Sequence, residues 1–172
     1  MNAMAGYSGT PLVQKIGIKP GHRLVLRNHP ASFLRDLGKL PDDVVAGERL
    51  SGEADVVVFF TDRRAALEKV FPVLAGKLRP EGMLWIAWPK RSSGKATDLD
   101  ENLVRDTWLG FGLVDVKVCA IDETWSGLKF VIRLKDRPAR EQRKQDQRKE
   151  RPAGKKRLNR AAVQPRSREK EQ

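Results

Sequence analysis

Apolar runs punctuate the chain, and their patterning separates strands from helices. "ADVVVFF" (54–60) is apolar at every position from Val56 to Phe60, and "MLWIAW" (83–88) is apolar throughout. Runs of that kind suit strands covered on both faces. "HRLVLRN" (22–28), after the turn "KPG", reads as the first strand, and "DDVVAGERL" holds a weaker one. "LVDVKVCAI" and "GLKFVIRL" read as a hairpin joined by "DETWS". Elsewhere the apolar period is helical. Thr10-Pro11 opens a short helix towards Ile18, and Asn28-His29-Pro30 opens another with Phe33, Leu34 and Leu37 inward until Gly38 stops it. Asp62 caps a helix carrying Leu67, Val70, Phe71, Leu74 and Leu78, in which Pro72 predicts a kink or two short helices. "RPEG" then turns the chain into the next strand. Asp98 and Glu101 have capping-box spacing ahead of Leu99, Leu103, Val104 and Trp108.

Strands alternating with helices predict a three-layer α/β fold. Its sheet is mostly parallel, of about five to six strands, and ends in a C-terminal antiparallel hairpin strand. Ligands of such sheets sit beyond the carboxyl ends of the strands. Asn28 to Pro30, Thr61-Asp62, Trp88 to Thr97 and Asp122-Glu123 are expected to gather on that rim.

Charge divides the chain. Of its 172 residues 40% are hydrophobic and 33% charged, with a net charge of +12. Residues 136–172 hold 14 Lys/Arg and 6 Asp/Glu, a net +8, and no aromatic residue. Such a segment buries too little surface to offset the entropy of ordering. The division is therefore a flexible arm (1–10), a folded domain (11–135) and a basic, disordered or partly helical tail (136–172). The lone Cys119 excludes an internal disulfide and a multi-cysteine zinc site, and reads as an inert buried thiol. No apolar run reaches the ~20 residues of a membrane span, and the N-terminus lacks a signal-peptide core. A soluble protein of the reducing cytoplasm is expected, with no membrane contact.

The loop "WPKRSSGKATDL" (88–99) is the richest in candidate chemistry. Lys90, Arg91 and Lys95 supply positive charge, Ser92 and Ser93 supply hydroxyls, and a helix start near Leu99 offers free N–H groups to an anion. The alternative is a solvated connection in which Thr97 or Asp98 only caps that helix. Its glycine spacing is not that of a phosphate-binding P-loop. Asp122 and Glu123 read either as an acid/base pair or as acids facing water, and Trp125 either as a platform over the rim or as hairpin packing. Tyr7 and Ser8 sit in an arm that either folds over the rim or frays. No metal site is expected. In the tail, Arg143, Lys144, Arg148, Lys149, Arg151, Lys155, Lys156, Arg157 and Arg160 are the candidate contacts for a polyanion. With no aromatic residue, the tail itself offers bases no stacking platform.

"IKPGHRLVLRN", "ADVVVFF", "KLRPEGMLWIAWP" and "GFGLVDVKV" resemble, in order, the first, fourth, fifth and final strands of a class I S-adenosylmethionine-dependent methyltransferase. That resemblance implies a Rossmann-like fold. More closely, "GYSGTPLVQKIGIKPG", "WPKRSSG", "TDL" and "GLVDVKVCAIDETWSGLKFV" resemble an uncharacterised bacterial domain-of-unknown-function family of the DUF 3052 type, which brings no known activity. The methyltransferase pattern fails after the first strand. "RNHPASF" has no glycine where the cofactor needs close backbone approach, and only 26 residues separate Asn28 from Asp55. The strand whose acid holds the ribose is short or missing, so no cofactor is expected.

These readings define a non-catalytic Rossmann-like binding module whose tail contacts RNA, the ribosome or DNA. Two alternatives stand beside it. One is a small enzyme or sensor taking an anionic or nucleotide-like ligand on the rim, of which a methyltransferase is a special case. The other is a protein-interaction scaffold, self-associating through the sheet edge. The oligomeric state is open.

Overall fold

The computed structural model describes residues 9–49, 51–107 and 111–150. Six strands form one sheet: β1 (Arg23–Arg27), β2 (Val45–Gly47), β3 (Ala54–Phe60), β4 (Leu78–Pro89), β5 (Leu113–Ala120) and β6 (Trp125–Ile132). Their order is β2-β1-β3-β4-β6-β5. The first four run parallel, β6 runs antiparallel to β4, and β5 completes the hairpin. The fold is Rossmann-like, with an antiparallel hairpin at one side.

Alternation along the central strands assigns the layers. Val57 and Phe59 of β3 and Leu84, Ile86 and Trp88 of β4 pack with Leu67, Phe71 and Leu74 of α3 (Arg64–Gly76) and Val104 of α4 (Glu101–Thr107). Their neighbours Val56, Val58, Phe60, Trp85 and Ala87 point the other way. They meet Ile16 of α1 (Leu12–Ile16) and Phe33 and Leu37 of α2 (Ala31–Leu37). Both faces are thus covered, as the uninterrupted apolar runs require. On the α1 side, Trp85 Nε1 donates to the carbonyl of Ile16 at 2.9 Å, so the largest buried ring leaves no orphan donor.

Several expectations change in detail. Leu34 is 51% exposed, because α2 rests on the sheet through Phe33 and Leu37 alone. α1 ends at Ile16 because Gly17 turns left-handed (φ 88°), and the Gly17 and Ile18 N–H groups bond back to Val13. α3 is one helix through Pro72, which lies on its exposed side. Leu78, expected on that helix, begins β4 instead. "RPEG" is a bulge inside β4 and not a turn before it: Ala54 pairs with Leu78, and Val56 next pairs with Met83. Trp108 lies outside the described residues.

The bulge depends on Gly82. A Cβ there would stand 3.0 Å from the Arg79 carbonyl oxygen and 3.2 Å from that of Ala54, both backbone atoms with little freedom to move. Gly82→Ala is expected to destabilise the protein by about 1–3 kcal/mol, the usual cost of overpacking. Equilibrium denaturation measures this; an unchanged midpoint would mean that the bulge relaxes.

Candidate functional site

The rim at the carboxyl ends of the parallel strands brings together the segments expected there. Thr61, buried at the end of β3, accepts the Arg63 N–H on its hydroxyl oxygen at 3.2 Å. From the loop after β4, Thr97 Oγ1 donates to the Asp62 carbonyl at 2.7 Å and accepts the Leu99 N–H at 3.1 Å. The loop after β4 is therefore tied to the loop after β3.

The cap of α3 comes from the loop that precedes α4. Asp98 does not cap the helix that follows it. Its Oδ1 accepts the Arg64 N–H at 2.7 Å, at the first residue of α3. Asp62, the expected cap, contributes only its carbonyl. α4 is capped by Asp100, whose Oδ1 accepts the Leu103 N–H at 2.8 Å. Glu101 pairs with Arg105 at 2.6 Å, and Arg105 reaches Asp115 of β5 at 2.9 Å.

Each charged or hydroxyl group proposed for the rim can now be placed. Lys90, half-buried, donates from Nζ to the Asp122 carbonyl at 2.6 Å, and its N–H donates to Thr124 at 2.7 Å. The Asp122 carboxylate accepts the Thr124 and Trp125 N–H groups, each at 2.7 Å, and so shapes the hairpin turn. Ser93 Oγ donates to the Lys90 carbonyl at 2.6 Å and accepts the Lys95 N–H at 3.2 Å. Lys95 holds its ammonium 4.6 Å from the Trp125 ring centroid. Arg91 is exposed and faces Asp100 at 3.7 Å, while Ser92 and Glu123 are exposed. Trp125 itself is 7% exposed and meets Phe60 edge-on at 5.1 Å; Phe60 in turn meets Phe33 at 4.9 Å. The ring packs the hairpin onto the sheet and carries Lys95 above it.

Between the loop and α4 lies a cleft of about 610 Å³, lined by Trp88, Lys90, Arg91, Ser92, Asp100 and Glu101. Its cations share the walls with two carboxylates. Among the described residues no three His, Cys, Asp or Glu side chains gather into a metal-binding group. Cys119 is half-buried on β5, and burial pushes its thiol above the ordinary value despite Lys117 and Lys15. Tyr7 and Ser8 of the proposed arm lie outside the described residues, as do Arg151, Lys155, Lys156, Arg157 and Arg160 of the tail.

The methyltransferase resemblance implies a cofactor crevice beyond β1, and the residues there do not fit one. Asn28 makes the turn in the left-handed region (φ 56°), with His29 and Pro30 following. Pro30 has no N–H to offer a ligand, and a glycine's close backbone approach is missing. β2, the neighbouring strand, is three residues long and exposed throughout. The rings of Phe33, Phe60 and Trp125 fill the α1–α2 side of the same rim.

No family model matches the chain and no curated protein does, so the resemblance to the domain-of-unknown-function family rests on the quoted segments alone. Among solved structures, the chain is similar to magnesium protoporphyrin IX methyltransferase from Synechocystis PCC 6803 with bound SAM. The two are 10% identical, with 70% of this chain and 74% of that one covered and a TM-score of 0.45. It is also similar to a putative methyltransferase from Thermoplasma acidophilum, at 9% identity, 74% and 76% coverage and a TM-score of 0.45. These are resemblances of outline; the strand order defines the fold here.

The loop-to-helix tie has a measurable weight. Asp98→Ala removes the cap of α3 and is expected to cost about 1 kcal/mol, read by urea denaturation, with Asp98→Asn retaining most of it. An Asp98→Ala midpoint equal to wild type would show that solvent replaces the cap. For Cys119, the raised pKa leaves less thiolate at neutral pH, so alkylation by iodoacetamide should run slower than for free cysteine and accelerate on unfolding. A rate matching free cysteine would contradict the burial seen here.

Proposed function

We propose that the protein is a non-catalytic Rossmann-like binding module that takes nucleic acid, RNA, the ribosome or DNA, through its basic C-terminal segment. One observation supports this above the others. The segment opens as α5 (Arg137–Glu150), a helix of 14 residues in which six are Lys or Arg and three are Asp or Glu. None of its described side chains is buried, and from Glu141 onward they are exposed. A helix without an apolar face gains little from packing on its own domain. The exposed Arg143, Arg148 and Lys149 of this helix, and a following sequence (151–172) with eight Lys/Arg against two Asp/Glu, are suited to phosphates. No described helix is long and apolar enough to cross a membrane.

A rim ligand is the second reading, supported by the exposed Arg91 beside the cleft of about 610 Å³. One experiment separates the two. RNA and DNA binding is measured at low and physiological salt for the full chain and for residues 1–135, whose folding is checked by circular dichroism. The full chain is expected to bind with a steep salt dependence, and the shortened chain to lose most of its affinity. Equal binding by both would move the contact off the C-terminal segment and onto the folded body. Binding by neither would end the nucleic-acid reading.

A further inference from the structure

The edge of the sheet opposite the rim, where the parallel strands begin, carries a cleft of about 980 Å³. Arg23 at the start of β1 and Lys77 and Arg79 at the α3–β4 junction line one wall. α5 forms the other with Arg140, Arg143 and Arg148. Six cations from distant parts of the chain thus face a space whose lining includes two carboxylates, Glu53 and Asp136. Glu53 lies 3.9 Å from Arg79 and 3.6 Å from Arg148, and Asp55 accepts a 3.4 Å contact from Arg79. Arg23 holds Ser51 Oγ at 2.7 Å, a neutral partner. Arg140 donates to the Ala75 carbonyl at the end of α3, and Arg137 to the Ile132 carbonyl, so the first turns of α5 are anchored to the body.

The arrangement holds positive charge against itself. Burial, and then the adjacent Arg143, push the Arg140 guanidinium below its ordinary value, with Glu53 opposing them. An anion in the cleft would relieve that repulsion. The lining also includes an aromatic ring. Phe111, 48% exposed, lines the cleft and meets Phe71 edge-on at 6.0 Å. A cationic groove with an exposed aromatic side chain is the combination that holds unpaired bases, whose faces a duplex keeps stacked inside. Along α5 the charge runs from Arg140 through Arg143 to Arg148, about 12 Å at the helical rise of 1.5 Å per residue, which suits successive phosphates of a polymer better than one small anion.

We infer that the cleft between α5 and the amino ends of the strands seats single-stranded nucleic acid, with Arg23, Arg79 and the α5 arginines on its phosphates and Phe111 stacked on a base. This rests on the nucleic-acid reading above and locates its contact, adding the folded body to the tail. The sheet supplies half of the site, and α5 closes it.

The test uses the full chain and fluorescence anisotropy with labelled oligo(U), oligo(dT) and a duplex, each of about 16 nucleotides, near the upper site size of one binding fold. The variants are Phe111→Ala, Phe111→Trp, Arg23→Gln and, on the opposite rim, Arg91→Gln. Phe111→Ala is expected to weaken single-strand binding about tenfold while changing duplex binding less than about twofold, and Phe111→Trp to preserve it. Arg23→Gln should weaken all binding and lower the salt slope by about one, with Arg91→Gln matching wild type. The oligo(U) and oligo(dT) arms tell RNA from DNA. If Phe111→Ala loses its fold by thermal melting, Phe111→Trp and Arg23→Gln carry the result. Wild-type binding that none of the cleft variants alters would overturn this site and leave the tail as the contact. Tighter binding of duplex than of either single strand would overturn it as well. A wild-type chain that binds none of the three probes would remove the nucleic-acid reading itself.

Discussion

The burial of β3 and β4 on both faces is the constraint on which the rest of the structure depends. Val56 to Phe60 and Leu84 to Trp88 are all buried, so neither side of the sheet's centre can meet water. Each fully buried large side chain contributes about 1.5–3 kcal/mol of transfer free energy, which makes two helical layers necessary. α3 and α4 cover one side and α1 and α2 the other. The edges then follow. β2 is short and exposed, β5 exposes Val116 and Val118, and the hydrogen-bonded ladder is most protected where the apolar content is highest.

From that centre the two ends of the sheet diverge in character. At the carboxyl end, polar groups are consumed by one another. Thr97 holds the loop before α3, Asp98 caps α3, Lys90 and Asp122 join the loop to the hairpin, and Lys95 lies over Trp125. These contacts order a long connection that would otherwise carry unsatisfied backbone groups. The same residue types that would hold an anion also serve to close a loop, and here the geometry shows much of that second use. Arg91 keeps its side chain 88% exposed.

The amino end works by the opposite logic. Arginines from β1, β4 and α5 converge without enough carboxylates to neutralise them, and desolvation presses on Arg140. Charge of one sign gathered along a cleft concentrates its field there and attracts the opposite charge. α5 stays on the body through Arg137, Arg140 and Arg148, polar contacts and not apolar burial. A helix held this way adds little to the stability of the domain, which is consistent with a role outside the core.

By itself the sequence determined the layers and the strands. The two-faced runs, the Gly38 stop and the hairpin follow from local periodicity and turn chemistry, and they appear where that chemistry puts them. Tertiary structure decided everything that depends on a partner far along the chain. Asp98 has the right spacing to cap its own helix, yet it caps one that begins 34 residues earlier. "RPEG" carries turn residues, yet parallel pairing with β3 makes it a bulge. Arg23, Arg79 and Phe111 carry no local signal, because each is an ordinary surface residue until α5 folds across the strand ends beside them. Local sequence encodes backbone preference and burial, which act over a few residues. Caps, clefts and charge clusters arise from distances between segments, and those exist only once the sheet has set its order.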